Sequence, residues 1–382
     1  MKMLGKCAGF ALAAALALFA AGCSKSESDT IAIGGIFPLS GDVAVYGVEC
    51  KKGIDLAIDE INESGGVNGK KIVLIGEDDE GKPDKSVNAF KKLTTKDKVK
   101  FIIGSLTSGC VQAVTTLAQA GHVIQIAPAA TAPAITDAGD YIFRACFIDP
   151  FQGTVMATYA NKNLNAKTAV LIREISNDYS VGLAKFFSDT FKKLAGESSI
   201  LAELNYNTGD QDFTAQLTTI KASNPDVIFA PGNYTESALI MKQARELGIT
   251  APFLGGDTWE TPELIDVGKD AVEGCLLSTA FDAGGATGDL AKTFLTKYDE
   301  EYHKEPAAFT VLAFDGYRLV LDAIRRADSI DTTKIRDAIA ATRDFEGVAG
   351  DVTLDENGDA TKSAFIKTVK DGKFTYITIV NP

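Results

Sequence analysis

The chain has 382 residues, a formal net charge of −13 and 46% hydrophobic residues. An acidic balance of this size excludes phosphate-backbone binding, which needs a basic patch. The length allows two domains of ordinary size and buries ample core without disulfide staples.

Lys2 and Lys6 precede an apolar run from Cys7 to Ala21, and "AAGC" follows at 20–23. A basic start, a short apolar stretch and small residues before a break predict a secretory signal over 1–22. The run is too short and wrongly flanked for a membrane span. "AAGC" resembles a bacterial lipobox, with Ala20 where Leu is more usual, and this implies a lipid thioether on Cys23. Ordinary cleavage with an incidental Cys23 is the alternative. Residues 23–29, containing "SKSESD", read as a polar tether, so that one acylated N-terminus would hold the body at a membrane surface.

From Thr30 short apolar strands alternate with amphipathic helices. "TIAIGGIF" predicts a strand, and the helix after it carries Ile54, Ala57, Ile58 and Ile61 at helical spacing until Gly65 stops it. "KKIVLIGED", "VKFIIGS" and "HVIQIAP" predict further strands, with helices over "KPDKSVNAFKKLTT" and from about Gly109 to Ala120. Val/Ile-rich strands in repeated βα units imply a parallel sheet covered by helices on both faces. The rhythm restarts after Pro150, with strands "TAVLIRE", "SILAELNY", "PDVIFAP" and "PFLGG". Helices near 289–302, 307–327 and 332–341 then precede strands "AGDVTLD", "SAFIKTV" and "FTYITIV". That tail exceeds what a second domain needs, so the chain is expected to cross back and complete both halves.

Ligands of open parallel sheets bind beyond the carboxyl ends of the strands, and three such ends are unusual. In "GSLTSGC", Thr107, Ser108 and Gly109 enter a helix, where hydroxyls and free N–H groups form an anion seat; a plain N-cap also accounts for them. In "APAATAP" small residues let a ligand approach the backbone, with Thr131 as the one hydroxyl; a simple turn also accounts for it. In "FLGGDTWETPEL" Asp257 follows two glycines, where a carboxylate can face a cleft or cap the next helix. Together they offer hydroxyls and N–H groups for a carboxylate and a lone carboxylate for a cation, the two ends of an α-amino acid. Tyr46, also just past a strand, adds an aromatic wall.

Other features point away from chemistry. "DENGD" places Asp355, Asn357 and Asp359 like the start of a calcium loop, but Ala360 and Ile366 replace its glycine and glutamate, so a turn is expected. "EDDEGKPD" reads as a solvated loop, and His122 and His303 stand alone. No nucleophile or acid/base set can be assembled, so neither an enzyme nor a cofactor or metal site is expected. Cys50, Cys110, Cys146 and Cys275 form no metal spacing; a Cys110–Cys146 bridge and four buried thiols are both open.

"PLSGDVAVYG", "GSLTSGC", "PAATAP", "IFRACFIDPFQG" and "FLGGDTWETPEL", in this order from Ile31 onward, resemble the leucine/isoleucine/valine-type substrate-binding proteins of ABC transporters. The resemblance implies an α/β chain of the type I periplasmic-binding-protein fold, with two Rossmann-like lobes joined by three hinge crossovers. Its N-terminal lobe would comprise 30–148 plus 280–362, and its C-terminal lobe 149–279 plus 363–382. It implies an exported monomer that captures an amino acid, branched-chain by default, and delivers it to membrane permease subunits. A sensory module reporting amino acids or amides to a receptor is the alternative. Position by position, Ser108, Ala129, Ala130 and Thr131 would hold the ligand carboxylate and Asp257 the ammonium, while Tyr46, Tyr179 and Phe314 would line the cleft. Asn233 stands at the family's tyrosine position, with Tyr234 one step later. Gly81 and Thr107 stand where close relatives carry a disulfide.

Overall fold

In the computed structural model residues 29–286 and 288–382 are described. The expected signal over 1–22, Cys23 and all of the tether but Asp29 lie outside them.

The first sheet contains β1 (Thr30–Phe37), β2 (Lys71–Asp78), β3 (Phe101–Gly104), β4 (Ile124–Ala127) and β5 (Ile142–Arg144), all parallel, in the order β2-β1-β3-β4-β5. It is covered by α1 (Ala44–Glu63), α2 (Pro83–Lys91) and α3 (Ser108–Gly121). Side chains of a strand alternate between faces, and β3 shows the result. Phe101 and Ile103 join the core under α1, whereas Ile102 joins a second core with Phe90 of α2 and Val111 and Val114 of α3. A strand buried on both faces must be apolar throughout, which is why "FIIG" reads as a continuous run.

The chain then crosses to a second unit built from α4 (Asp149–Lys162), β6 (Ala169–Glu174), α5 (Asp178–Ala195), β7 (Ile200–Tyr206), α6 (Thr214–Ser223), β8 (Val227–Phe229), α7 (Tyr234–Glu246), β9 (Phe253–Gly255), α8 (Pro262–Gly268) and β10 (Leu276–Thr279). It returns through α9 (Asp289–Tyr302), α10 (Ala308–Ala327), α11 (Thr332–Ala340) and the two-residue strands β11 (Thr353–Leu354) and β12 (Ala360–Thr361). α10 packs along α1 and reaches β3 and β4. A side chain at Gly53 would meet Thr310 O at 2.0 Å, so the two helices close only over a glycine. A third crossing brings β13 (Ala364–Lys370) and β14 (Lys373–Val380) to the second sheet. Its order is β14-β13-β10-β9-β8-β6-β7. The first five strands of each sheet therefore share one topology, 2-1-3-4-5 and 7-6-8-9-10, although the sequence shows no internal repeat.

Several expected elements change. The second sheet is not wholly parallel, since β13 pairs antiparallel with β10 and with β14. β14 forms an open edge with Tyr376, Ile377 and Ile379 exposed. "AGDVTLD" keeps only two strand residues. The helix predicted over "KPDKSVNAFKKLTT" opens into a wider π turn over Lys92–Lys96. β5 and the 3-10 turn Pro133–Ala138 have no sequence counterpart above. "DENGD" is a turn in which Asp355 Oδ1 accepts the N–H groups of Asn357 and Asp359 at 2.9 Å. All four described cysteines are free and buried. Cys146 donates to Ala130 O at 3.3 Å rather than bridging Cys110, and burial pushes its thiol up to about 12.

Candidate functional site

A cavity of about 330 Å³ lies where the carboxyl ends of the two sheets meet. Tyr46 in the first turn of α1 and Ser108 at the start of α3 line it, together with Ala129, Ala130 and Thr131 beyond β4. Opposite them stand Tyr179 at the start of α5, Asn233 at the N-cap of α7, and Asp257 just beyond β9. Each sheet thus supplies the turns after equivalent strands.

On the first side the backbone carries the chemistry. Thr131 O accepts Asp149 N–H at 3.0 Å, and Ala132 N–H donates to Ser108 Oγ at 3.3 Å, which leaves the Ser108 hydroxyl proton free to donate. Among the described residues the N–H groups of Ala129, Ala130 and Thr131 have no partner, and Thr131 Oγ1 is buried without an aligned one, although it lies near enough to the Asp149 carboxyl to hold it down against burial. Pro128 and Pro133 bracket this run and contribute no N–H of their own. The turn therefore ends in a patch of unused donors.

On the second side a carboxylate is buried without a counter-ion. Asp257 Oδ1 accepts the Tyr179 hydroxyl at 2.8 Å, and Asp257 N–H donates to Gln152 Oε1 at 2.9 Å. Ser278 Oγ also donates to Gln152 Oε1, at 2.8 Å. Burial pushes the Asp257 carboxyl up to about 6, and neighbouring Asp149, likewise buried, up to about 7. A side chain at Gly256 would meet the Tyr179 hydroxyl at 2.1 Å, so the glycine before Asp257 is what lets tyrosine and aspartate approach.

Two hydroxyls span the cleft. Tyr46 donates to Thr258 O at 2.8 Å, and Tyr234 donates to Asp42 O at 2.9 Å. The Tyr46 ring stacks on Phe309 with centroids 4.6 Å apart. Asn233 contacts the Tyr46 hydroxyl at 3.5 Å and donates to Glu174 Oε2 at 3.3 Å.

Eight of the nine site residues expected from the sequence line this cavity; Phe314 does not. It is buried in α10 against Phe294, centroids 4.6 Å apart, and Phe309 lines the cavity instead. Five helical residues turn the chain through roughly 500°, which puts the two rings about 140° apart around the axis. Phe309 sits in the first turn of α10, and that position at an element end, rather than aromatic character, was the available signal. Gln152 and Thr258 were also missed: the first is one turn inside a helix, and the second carries no distinctive pattern. Tyr234 stays outside the cavity, its ring edge-on to Tyr46 at 5.5 Å. Among the described residues no group of three or more His, Cys, Asp or Glu side chains could hold a metal ion.

The periplasmic binding protein family model matches residues 30–373. The Leu/Ile/Val-binding protein homolog 3 of Brucella melitensis is 32% identical over 361 residues, 92% of this chain and 95% of that protein. Among solved structures, the leucine binding protein LivK of Thermotoga maritima superposes with a TM-score of 0.89 at 40% identity, covering 92% of this chain and 99% of that one. The branched-chain amino acid transporter substrate-binding protein LivJ of Streptococcus pneumoniae, solved with isoleucine, gives 0.87 at 35% identity, covering 92% and 100%. These relatives are solute-binding proteins, not enzymes. With two α/β lobes of one topology, three crossings between them and a cavity where they meet, this chain belongs to the periplasmic binding protein family and has its type I fold.

Proposed function

We propose that this chain is an extracytoplasmic, lipid-anchored substrate-binding protein of an ABC transporter. It captures a free amino acid, a branched-chain one first, and delivers it to permease subunits in the membrane. The observation that carries the reading is the pairing of two incomplete halves across one cavity. Unused N–H groups of Ala129, Ala130 and Thr131 and the Ser108 hydroxyl suit a carboxylate, while Asp257, buried without a cation, suits an ammonium. A buried charge is tolerable only when paired, so the zwitterion completes both halves at once. Tyr46, Phe309 and Leu106 offer the apolar wall that an aliphatic side chain needs. Residues 30–148 with 280–362 and 149–279 with 363–382 form the lobes that close on the ligand as a hinge. The relatives named for leucine, isoleucine and valine support the ligand class, and the signal over 1–22 with Cys23 supports the anchor.

A thermal-shift panel of the standard amino acids with short amides as controls tests the ligand. Leucine, isoleucine or valine should raise Tm saturably, because a ligand of the native state alone stabilises it by mass action. Short amides should not. An unchanged Tm with every amino acid would overturn the reading.

A further inference from the structure

Behind the turn after β4 stands a residue outside the cavity. Arg144, the last residue of β5, has no exposed surface. Its Nη1 donates to Ala130 O at 3.1 Å, and its Nη2 donates to Ala132 O at 3.0 Å and to Pro133 O at 3.3 Å. Nη2 also reaches Thr136 Oγ1 at 3.0 Å. Nε lies 2.5 Å from Asp359 Oδ1, an ion-pair contact rather than an aligned hydrogen bond. Thr136 Oγ1 donates to the same carboxylate oxygen at 2.8 Å. The backbone closes the ring, since Arg144 N–H donates to Gly358 O at 3.1 Å.

We propose that Arg144 is a positioning residue of the ligand site, holding the Ala130 carbonyl away from the cleft so that the N–H of Thr131 faces it, and anchoring the rest of the turn through the carbonyls of Ala132 and Pro133. A trans peptide directs its C=O and N–H to opposite sides. Fixing Ala130 C=O on the guanidinium, with the Cys146 thiol as a second and weaker donor to it, therefore fixes the Thr131 N–H on the other face. The small, proline-bracketed run cannot do this alone, because it gives only alanine methyls to the two cores and joins no ladder. Guanidinium suits the task and ammonium does not: its planar fork serves several carbonyls from fixed directions, whereas lysine offers a single mobile point. Through Asp359 the same guanidinium reaches the "DENGD" turn, which leads by way of β12 into the third crossing at 362–363. The ligand turn, the first crossing just after Arg144 and the approach to the third thus share one side chain.

This inference rests on the amino-acid reading of the cavity. The competing account makes Arg144–Asp359 a buried ion pair with a structural role only. Leucine and leucinamide separate the two, because leucinamide keeps the ammonium and lacks the carboxylate. In Arg144→Lys, calorimetric affinity for leucine should fall by about 30-fold, since charge-assisted hydrogen bonds orient the donors, while leucinamide affinity changes by no more than about 3-fold. The leucine/leucinamide ratio of the unmodified protein should therefore shrink about tenfold. Asp359→Asn, at a partly exposed position, should shift that ratio in the same direction by about 3-fold, and remains informative if the lysine variant does not fold. An unchanged ratio in both variants, or equal losses for both ligands, would overturn the proposal. A protein that binds neither compound would refute the amino-acid reading instead. Hydrogen exchange in the ligand-free variants then decides the arginine's role: faster exchange at Thr131 and Ala134 is expected, and exchange unchanged there overturns it.

Discussion

The turn after β4 and the turn after β9 hold equivalent places in two sheets of the same core order. The first, "PAATAP", has no titratable side chain and presents backbone N–H groups, with Arg144 bonded to its carbonyls from behind. The second, "GGDTW", puts one carboxylate into the cavity and supports it from Tyr179 and Gln152. One topology thus carries two opposite electrostatic tasks. The fold fixes where a turn projects, and the residues of the turn fix which charge it receives. In the proposed function a ligand with both charges is read by both turns, and each turn alone would be a common structural feature.

Removing the carboxylate breaks this division of labour most completely. Asp257→Ala should weaken amino-acid binding by about 100-fold or more, because the buried ammonium loses its partner, while Tm of the ligand-free protein does not fall. Calorimetry with leucine and a thermal melt check both halves. Retained affinity would reassign the ammonium to another group.

Acid should act on the same turn, together with its buried neighbour Asp149. The Asp257 carboxyl titrates at about 6 and must be ionised to receive an ammonium. Affinity should fall by up to roughly tenfold per pH unit below that value, and it should level off only above about 7, where Asp149 has ionised as well. The sign for ligand-free stability is the reverse of the usual carboxylate case. The folded carboxyl sits above its unfolded value of 3.8, so stability is lost as pH rises from about 4 to 6, when the unfolded chain has released a proton that the folded one keeps. Asp257→Asn should accordingly raise Tm of the ligand-free protein at pH 7 by a few degrees while binding fails. A melt that is lower at pH 7 would show that the carboxylate is stabilised by a group other than its ligand.

The smallest effect separates the cavity wall from the core behind it. Phe309→Leu should lower leucine affinity by about 3- to 10-fold with a small change in Tm. Phe314→Leu should lower stability by about 1 kcal/mol and leave affinity within about twofold. Equal affinity losses would mean that the two faces of α10 are not independent.

Much of this was legible in the sequence, for identifiable reasons. Parallel strands buried on both faces are apolar runs, so β1, β3, β4 and β6 could be read directly, and strand ends followed from them. Asp257 stood out because two glycines precede it and no cation is near in sequence. β5 was not legible, being three residues that share their character with the loops around them. Phe309 was lost because a helix face cannot be chosen before its partner helix is known, and α10 finds its partner in α1, about 250 residues earlier by chain order. Arg144 was invisible for another reason. Its partners are carbonyls, which no side-chain pattern reports, and an Asp359 that read only as part of a turn.

The two hydroxyls that span the cleft, from Tyr46 and Tyr234, both end on backbone carbonyls, those of Thr258 and Asp42. A carbonyl is present whatever amino acid occupies the position, so the receiving side of each contact is indifferent to substitution. Tyr234, moreover, lies outside the cavity. Tyr46 both spans the cleft and lines the cavity, whereas Tyr234 only spans it. Of the two contacts, the one from Tyr234 is therefore the one whose loss would remove a bond between the lobes without removing a cavity-lining side chain.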